Sequence, residues 1–287
     1  MNWMPLLFFD DVCHQLRKTE FNKVSQLSGS WPSFSAEHGE KRREFGFRCR
    51  VSNQEVSYNL QETHNIDRAD PPGTMIADLN LKFDRITSFS HDFAHYSDHR
   101  VSLSEFESVV LPTIAPLVTN CSWSCRAPER SALNRFFFIA FKNCPGFRDI
   151  TVQEQGEESR DFVTRQVALG NVQRLTLYGT GSWPEAENLT ETLKIFVSSA
   201  KFHQLYSRHP LRDDYELFEL FLERALAKEL KRGAFISTAA ENLQNLDENR
   251  LLALHPECRH DSTKDAWRIS DSITLRYLDG MLYVRVE

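Results

Sequence analysis

The strongest constraint on this chain is a rhythm in its second half. Residues 121–125, 147–152, 172–178 and 202–206 predict short strands, each rich in apolar or aromatic side chains. Between and after them, residues 128–142, 159–169, 188–200 and 213–232 carry apolar positions at helical spacing. Taking Trp123, Ile150, Leu175 and Leu205 as strand centres, the repeat is about 27, 25 and 30 residues, one strand plus one helix per unit. Strand–helix alternation of this kind predicts an α/β fold with a parallel sheet.

The period approximates that of the longer leucine-rich repeats, although the leucine signature is absent. Such units place their helices on one side of the sheet and curve into an arc. A doubly wound sheet also fits the alternation, but no Gly-rich strand-to-helix turn is present to support it. The expectation is a leucine-rich-repeat-like α/β arc that closes on a C-terminal hairpin. Asp279-Gly280 stands between the alternating runs 272–278 and 281–286, a strong hairpin signal, and this hairpin would cover the open end of the sheet.

Ahead of the rhythm, residues 4–43 read as short helices. Phe8, Phe9, Val12 and Leu16 recur at helical spacing after Pro5. Thr19 stands as an N-cap for a second helix carrying Phe21, Val24 and Leu27. Gly29 and Pro32 break the pattern near Trp31, and 35–43 reads as a polar third helix. Residues 44–51 and 55–60 alternate around a polar turn and predict a hairpin. Residues 76–89 alternate again, with Leu79, Leu81 and Phe83 on one face. A helix over 103–118 is expected to kink at Pro112 and Pro116. The domains read as 1–43 and 44–287.

Charge and composition narrow the function. A net charge of −6 disfavours a phosphate-binding surface, and Lys41-Arg42-Arg43 reads as a solvated helix face. No run approaches the ~20 apolar residues of a membrane helix. Asp10 and Asp11 interrupt the N-terminal apolar run, which lacks the basic start of a signal peptide. The chain therefore reads as cytoplasmic, or nuclear, and its six cysteines as reduced. Cys121 and Cys125 share a strand face with Trp123 and read as core thiols. Cys144, His255, Cys258 and His260 have no recognised metal spacing. His91, His95 and His99 would align on a helix, but 90–100 reads as a polar connection. Glu157-Glu158 and Asp213-Asp214 stand at helix starts, where they complement the dipole. No G-x-S-x-G elbow or phosphate-cradling G-x-x-x-x-G-K-[ST] loop occurs. The expectation is no enzyme, no cofactor and no metal. Trp183, on a Gly-rich turn, is the candidate anchor for a protein target.

The opening stretch resembles an F-box, the helical module that docks to the Skp-type adaptor of cullin-based ubiquitin ligases. Met4-Pro5 stands at that module's Leu-Pro position, with Leu7, Phe8, Val12 and Leu16 on its first long helix. Phe21, Val24, Leu27 and Trp31 fall at the later apolar positions. Gly29 lies where the module is usually helical. More widely, the chain is similar to large nematode families that begin MDxVPxxF-xDxV. They continue through a W-x-x-A-x-x-H-like stretch, here 31–38, and an FDRI-like strand, here Phe83-Asp84-Arg85-Ile86. The resemblance implies a substrate receptor. Pro5, Leu7, Phe8, Val12, Leu16, Phe21, Leu27 and Trp31 would contact the adaptor, and the arc would hold an unidentified protein target. Nucleic acid and membrane are not implied. The alternative is an interaction protein whose F-box has decayed.

Overall fold

The computed structural model describes residues 6–52, 55–63, 74–91, 99–125, 132–179, 183, 187–208, 214–239, 259–261, 266–278 and 281–287. The protein is a mixed α/β fold of two compact units, residues 1–127 with 132–148, and residues 128–131 with 149–287.

The first unit begins with α1 (Leu6–Gln15), α2 (Phe21–Val24) and α3 (Trp31–Lys41). Pro32 does not break a helix here. It sits in the first turn of α3, where its missing N–H costs nothing. Leu27 lies beyond the end of α2, so the second helix is shorter than its apolar spacing suggests.

Next come β1 (Glu44–Ser52), β2 (Glu55–Glu62), β3 (Arg85–His91) and β4 (His99–Ser102). The hairpin of β1 and β2 forms as its alternation predicts. The expected strand over 76–89 does not. Ile76–Asp78 is a 3-10 turn, and the strand starts only at Arg85. Asn80 Oδ1 accepts from Lys82 N at 3.0 Å, and Asp84 Oδ2 accepts from Asn80 N at 2.6 Å. These local side-chain bonds make a turn where the apolar alternation suggested a strand.

Then follow α4 (Leu103–Glu105), a π-helical turn at Phe106–Val110, and α5 (Leu111–Ile114), which closes in a 3-10 turn at Ala115–Leu117. Pro112 and Pro116 cannot donate to the ladder, and the segment changes pitch around them. Strand β5 (Val118–Cys125) and helix α6 (Ala132–Phe141) complete this unit. Its strands lie in the order β5-β3-β1-β2-β4. Phe47, Phe89 and Trp123 stand in register on β1, β3 and β5, with ring centroids 5.3 Å and then 4.4 Å apart. Phe137 and Phe141 of α6 meet Phe89 edge-on, which seals the core.

The second unit carries the rhythm. Its elements are β6 (Phe147–Gln153), counted here from Asp149, then α7 (Glu157–Ala168), β7 (Arg174–Tyr178), α8 (Glu187–Ser198), β8 (Gln204–Ser207), α9 (Asp214–Leu226) and β9 (Phe235–Ala239). Strands β6 to β9 are parallel and add in chain order. Right-handed crossovers that always step the same way put α7, α8 and α9 on one face. Helix α7 packs on α8, and α8 on α9. Residues Ile150, Leu175, Leu205 and Ile236 run in register beneath those helices, each at most 1% exposed.

Beyond β9 come β10 (Arg259–Asp261), β11 (Ala266–Ser270), β12 (Ile273–Leu278) and β13 (Met281–Val286). The C-terminal hairpin of β12 and β13 forms as expected, and β13 pairs antiparallel with β9. It thereby covers the backbone edge that β9 would otherwise leave open. Asp279-Gly280 lies outside the described residues.

Candidate functional site

Helix α1 divides its side chains sharply. Phe9 and Cys13, four apart, turn inward at 7% and 0% exposure. Leu6, Leu7 and Phe8 face outward at 66%, 74% and 43%. Leu27 is 50% exposed, whereas Val12, Leu16 and Trp31 are half-buried and Phe21 is buried. Phe9 packs edge-on to Trp31 at 4.6 Å and stacks on Phe34 at 5.3 Å. Phe8 reaches Trp31 at 6.2 Å. Thus the seven described adaptor-facing candidates form no continuous stripe, and of these only Leu7, Phe8 and Leu27 are exposed. Pro5 lies outside the described residues.

Beneath α1 lies a buried polar cluster that the sequence reading missed. His38 Nε2 donates to Asp10 Oδ1 at 2.9 Å, and the His38 ring is fully buried. The ring lies 5.5 Å from that of His14 and 5.2 Å from Phe83. Of Lys41-Arg42-Arg43, read as a solvated face, Lys41 and Arg43 reach solvent, but Arg42 is 1% exposed. Arg42 Nη2 donates to Cys13 O at 2.6 Å, and its guanidinium lies 5.2 Å over the Phe21 ring. Arg43 makes a two-point pair with buried Asp84, at 2.9 Å and 2.6 Å.

Arg85 follows at once, 3% exposed. Its Nε donates to His14 O at 3.2 Å, and its Nη atoms serve the carbonyls of Leu81, Lys82 and Asp84. Asn120 completes the set. Between the pairs Ile86–Val118 and Ser88–Ser122, one residue of β3 opposes three of β5, so β5 bulges there. Asn120 sits in that bulge at φ 47, and its amide donates to Gln15 O while its own carbonyl accepts from Arg17 Nη2 at 3.1 Å. Cys13 O accepts from Leu16 N at 3.2 Å, and the carbonyls of Cys13, His14 and Gln15 at this helix end each have a side-chain donor as well. Two of those donors are cations, as the negative end of a helix favours.

Three stretches quoted for the resemblance meet in this cluster: Asp10 of the opening, His38 at the end of 31–38, and Phe83-Asp84-Arg85. Burial pushes the His14 imidazole down to about 4, helped by the charges of Arg85, His38 and Arg42. Burial also lowers His38, although the bond to Asp10 resists it. Burial works to raise the Asp10 carboxyl, but His38 and Lys82 outweigh it and hold it below the usual range. Arg85 is pushed down to about 10 by burial and by Arg42. Both imidazoles are neutral at pH 7, and the cluster can take up protons only at a cost.

The other candidates are placed differently from expectation. Trp183 is no exposed anchor: it is 1% exposed, and its indole N–H donates to Tyr178 O at 2.6 Å. His91 lies on β3 and His99 on β4, two strands that are not neighbours, while His95 lies outside the described residues. No group of three His, Cys, Asp or Glu among the described residues is placed to hold a metal ion. Cys13, Cys49, Cys121, Cys125 and Cys144 are buried, as core thiols should be; Cys258 and His255 lie outside the described residues. A groove of about 470 Å³ between α7 and α8 is lined mainly by Val167, Val172, Ile195 and Phe196. Its lysine, Lys194, is held by Glu191 and Glu216. No helix among the described residues is long and apolar enough to cross a membrane.

No protein-family model matches this chain, and no curated protein matches it. Among solved structures, it aligns with the MycE methyltransferase of the mycinamycin biosynthetic pathway in complex with Mg, SAH and mycinamycin VI. That alignment has 11% identity and a TM-score of 0.26, covering 99% of this chain and 93% of the other. A structure of the same enzyme with Mg and SAH gives 11% identity, a TM-score of 0.25, and coverage of 99% and 92%. The expectation that this chain is not an enzyme is corrected accordingly: the solved structures it aligns with are enzymes, and catalysis is not excluded. At these scores, neither the activity nor the ligands of MycE carry over.

Proposed function

We propose that this protein is a protein–protein interaction adaptor. Residues 4–31 would dock, in the manner of an F-box, on a Skp-type adaptor of a cullin-based ubiquitin ligase. The strand–helix units, read as leucine-rich-repeat-like, would hold the target. The observation that supports this reading is the split of α1. Three successive apolar residues, Leu6, Leu7 and Phe8, face solvent while the carboxyl end of the same helix is clamped by Arg42, Arg85 and Asn120. A helix held at one end with a greasy patch at the other suits insertion against a partner helix.

The second reading, an interaction protein with a decayed F-box, draws on Phe21. That residue is 4% exposed and lies under Arg42, so part of the module's apolar surface is spent on the chain itself. Capture of the full chain on immobilised recombinant Skp adaptor decides between them. The parent should be retained, and Leu7→Ala/Phe8→Ala should cut retention at least tenfold. Equal background retention of both ends the ligase reading.

A further inference from the structure

The face of the second unit's sheet opposite α7, α8 and α9 is a different kind of surface. The buried rows alternate with rows that face away from the helices. One such row runs in register through Asp149, Arg174, Gln204, Phe235, Arg285 and Thr274. The next runs through Thr151, Thr176, Tyr206, Ser237, Tyr283 and Arg276. In these two rows only Ser237 is fully buried.

Two features of this face stand out. The first is its charge. Arg174, Arg268, Arg276 and Arg285 are exposed on it, and Arg208 extends it past the end of β8. Few carboxylates oppose them: Asp149 pairs with Arg174 at 3.8 Å, Glu287 accepts from Thr274 at 2.8 Å, and Asp261 of β10 falls on this face by its register with Ala266 and Arg276. The whole chain carries −6, so this face is opposite in sign to the molecule that bears it. The second is its tyrosines. The rings of Tyr178 and Tyr206 lie 6.1 Å apart at 51°, and Tyr283 is one strand beyond Ser237 in the same row. The Tyr206 hydroxyl is pushed up by burial and then by the nearness of Tyr283 and Tyr178.

We propose that this face binds an acidic, extended protein segment. Arginine forks match carboxylates in two-point geometry, and arginine and tyrosine are the side chains that dominate binding energy at protein interfaces. Six strands at ~4.8 Å spacing present a row about 24 Å long, enough for some seven extended residues laid across them. The occupant is a peptide and not a nucleic acid because the tyrosines are half-buried and tilted against one another. Bases bound to single-strand readers stack on open aromatic faces, and rings tilted at 51° and half-buried suit that poorly. The inference deepens the target-holding part of the proposed function and rests on it.

The test is fluorescence anisotropy on the full chain. The probes are a labelled decapeptide of alternating Glu and Gly, its Lys–Gly counterpart, and a ten-residue oligo-dT. The Glu–Gly peptide should bind best, with affinity falling on going from 50 to 300 mM NaCl. Arg276→Glu/Arg285→Glu should weaken it at least tenfold with an unchanged circular dichroism spectrum. If that variant misfolds, Arg174→Gln/Arg208→Gln should weaken it severalfold. Equal binding of the Glu and Lys peptides, unaltered binding by a folded variant, or tighter binding of oligo-dT overturns the proposal. Leu7→Ala/Phe8→Ala should bind the peptide like the parent. Failure of adaptor docking is thereby read separately from failure of this face.

Discussion

His38 Nε2 sits 2.9 Å from Asp10 Oδ1, and this one bond joins the buried side of α3 to α1. The opposite ring atom, Nδ1, has no hydrogen-bond partner among the described residues, nor has His14 Nε2. A second proton on either ring would thus enter a site that already holds Arg42 and Arg85. Asp10, Glu37 and Lys82 flank it, with Glu44 on β1 and Asp84 beside Arg85.

Acid should therefore destabilise the first unit. The folded His14 titrates near 4 and an unfolded one near 6.5, so its contribution is complete above about 6.5 and is lost as pH falls toward 4. His38 shifts in the same direction. At pH 5, urea unfolding should show roughly 1–2 kcal/mol less stability than at pH 7.5 from His14 alone. His14→Gln should flatten that slope.

The two ends of the Arg43–Asp84 pair should respond unequally. Asp84 is fully buried, whereas the Arg43 side chain is 38% exposed. Arg43→Ala strands a buried carboxylate and should cost about 3 kcal/mol or more; Asp84→Asn frees an arginine that can turn to water and should cost about 1–2. Equal losses in thermal denaturation would contradict this.

The inward–outward split of α1 makes its own prediction. Phe9→Ala opens a cavity between Trp31 and Phe34 and should cost about 3–5 kcal/mol. Leu7→Ser, one turn edge away, should change stability by no more than about 0.5 kcal/mol.

Gly146 should tolerate no side chain. A Cβ there would stand 2.0 Å from Val118 O, the start of the bulged strand, and Cys121 N already bonds to Gly146 O. Gly146→Ala should cost about 3 kcal/mol or more and shift Asn120 away from α1. Loss of soluble full-length protein on expression is the simplest readout.

Much of the fold was legible because it is periodic. Strand centres near Trp123, Ile150, Leu175 and Leu205 and the helices between them follow from local alternation of period 2 and 3.6. The C-terminal hairpin follows from its turn residues. What failed was non-local. Leu79, Leu81 and Phe83 alternate like a strand, but Asp84 folds the chain back on Asn80. Arg42 looks like one more surface charge until Cys13 O, far away in sequence, claims it. Trp183 looks like an anchor because the Tyr178 carbonyl that holds it gives no signal in the sequence. Tyr178, Tyr206 and Tyr283 drew no notice in the sequence, because only the registers of β7, β8, β9 and β13 place them on one face.

The three donors that close the end of α1 come from residues 42, 85 and 120. During synthesis α1 is made first, yet its last carbonyl waits for a residue made 105 positions later. At about 5–20 residues per second, that delay is about 5–20 s. For that interval the nascent helix exposes Phe9 and Cys13 as well as Leu7 and Phe8, so it stays open to chaperones until residue 120 arrives.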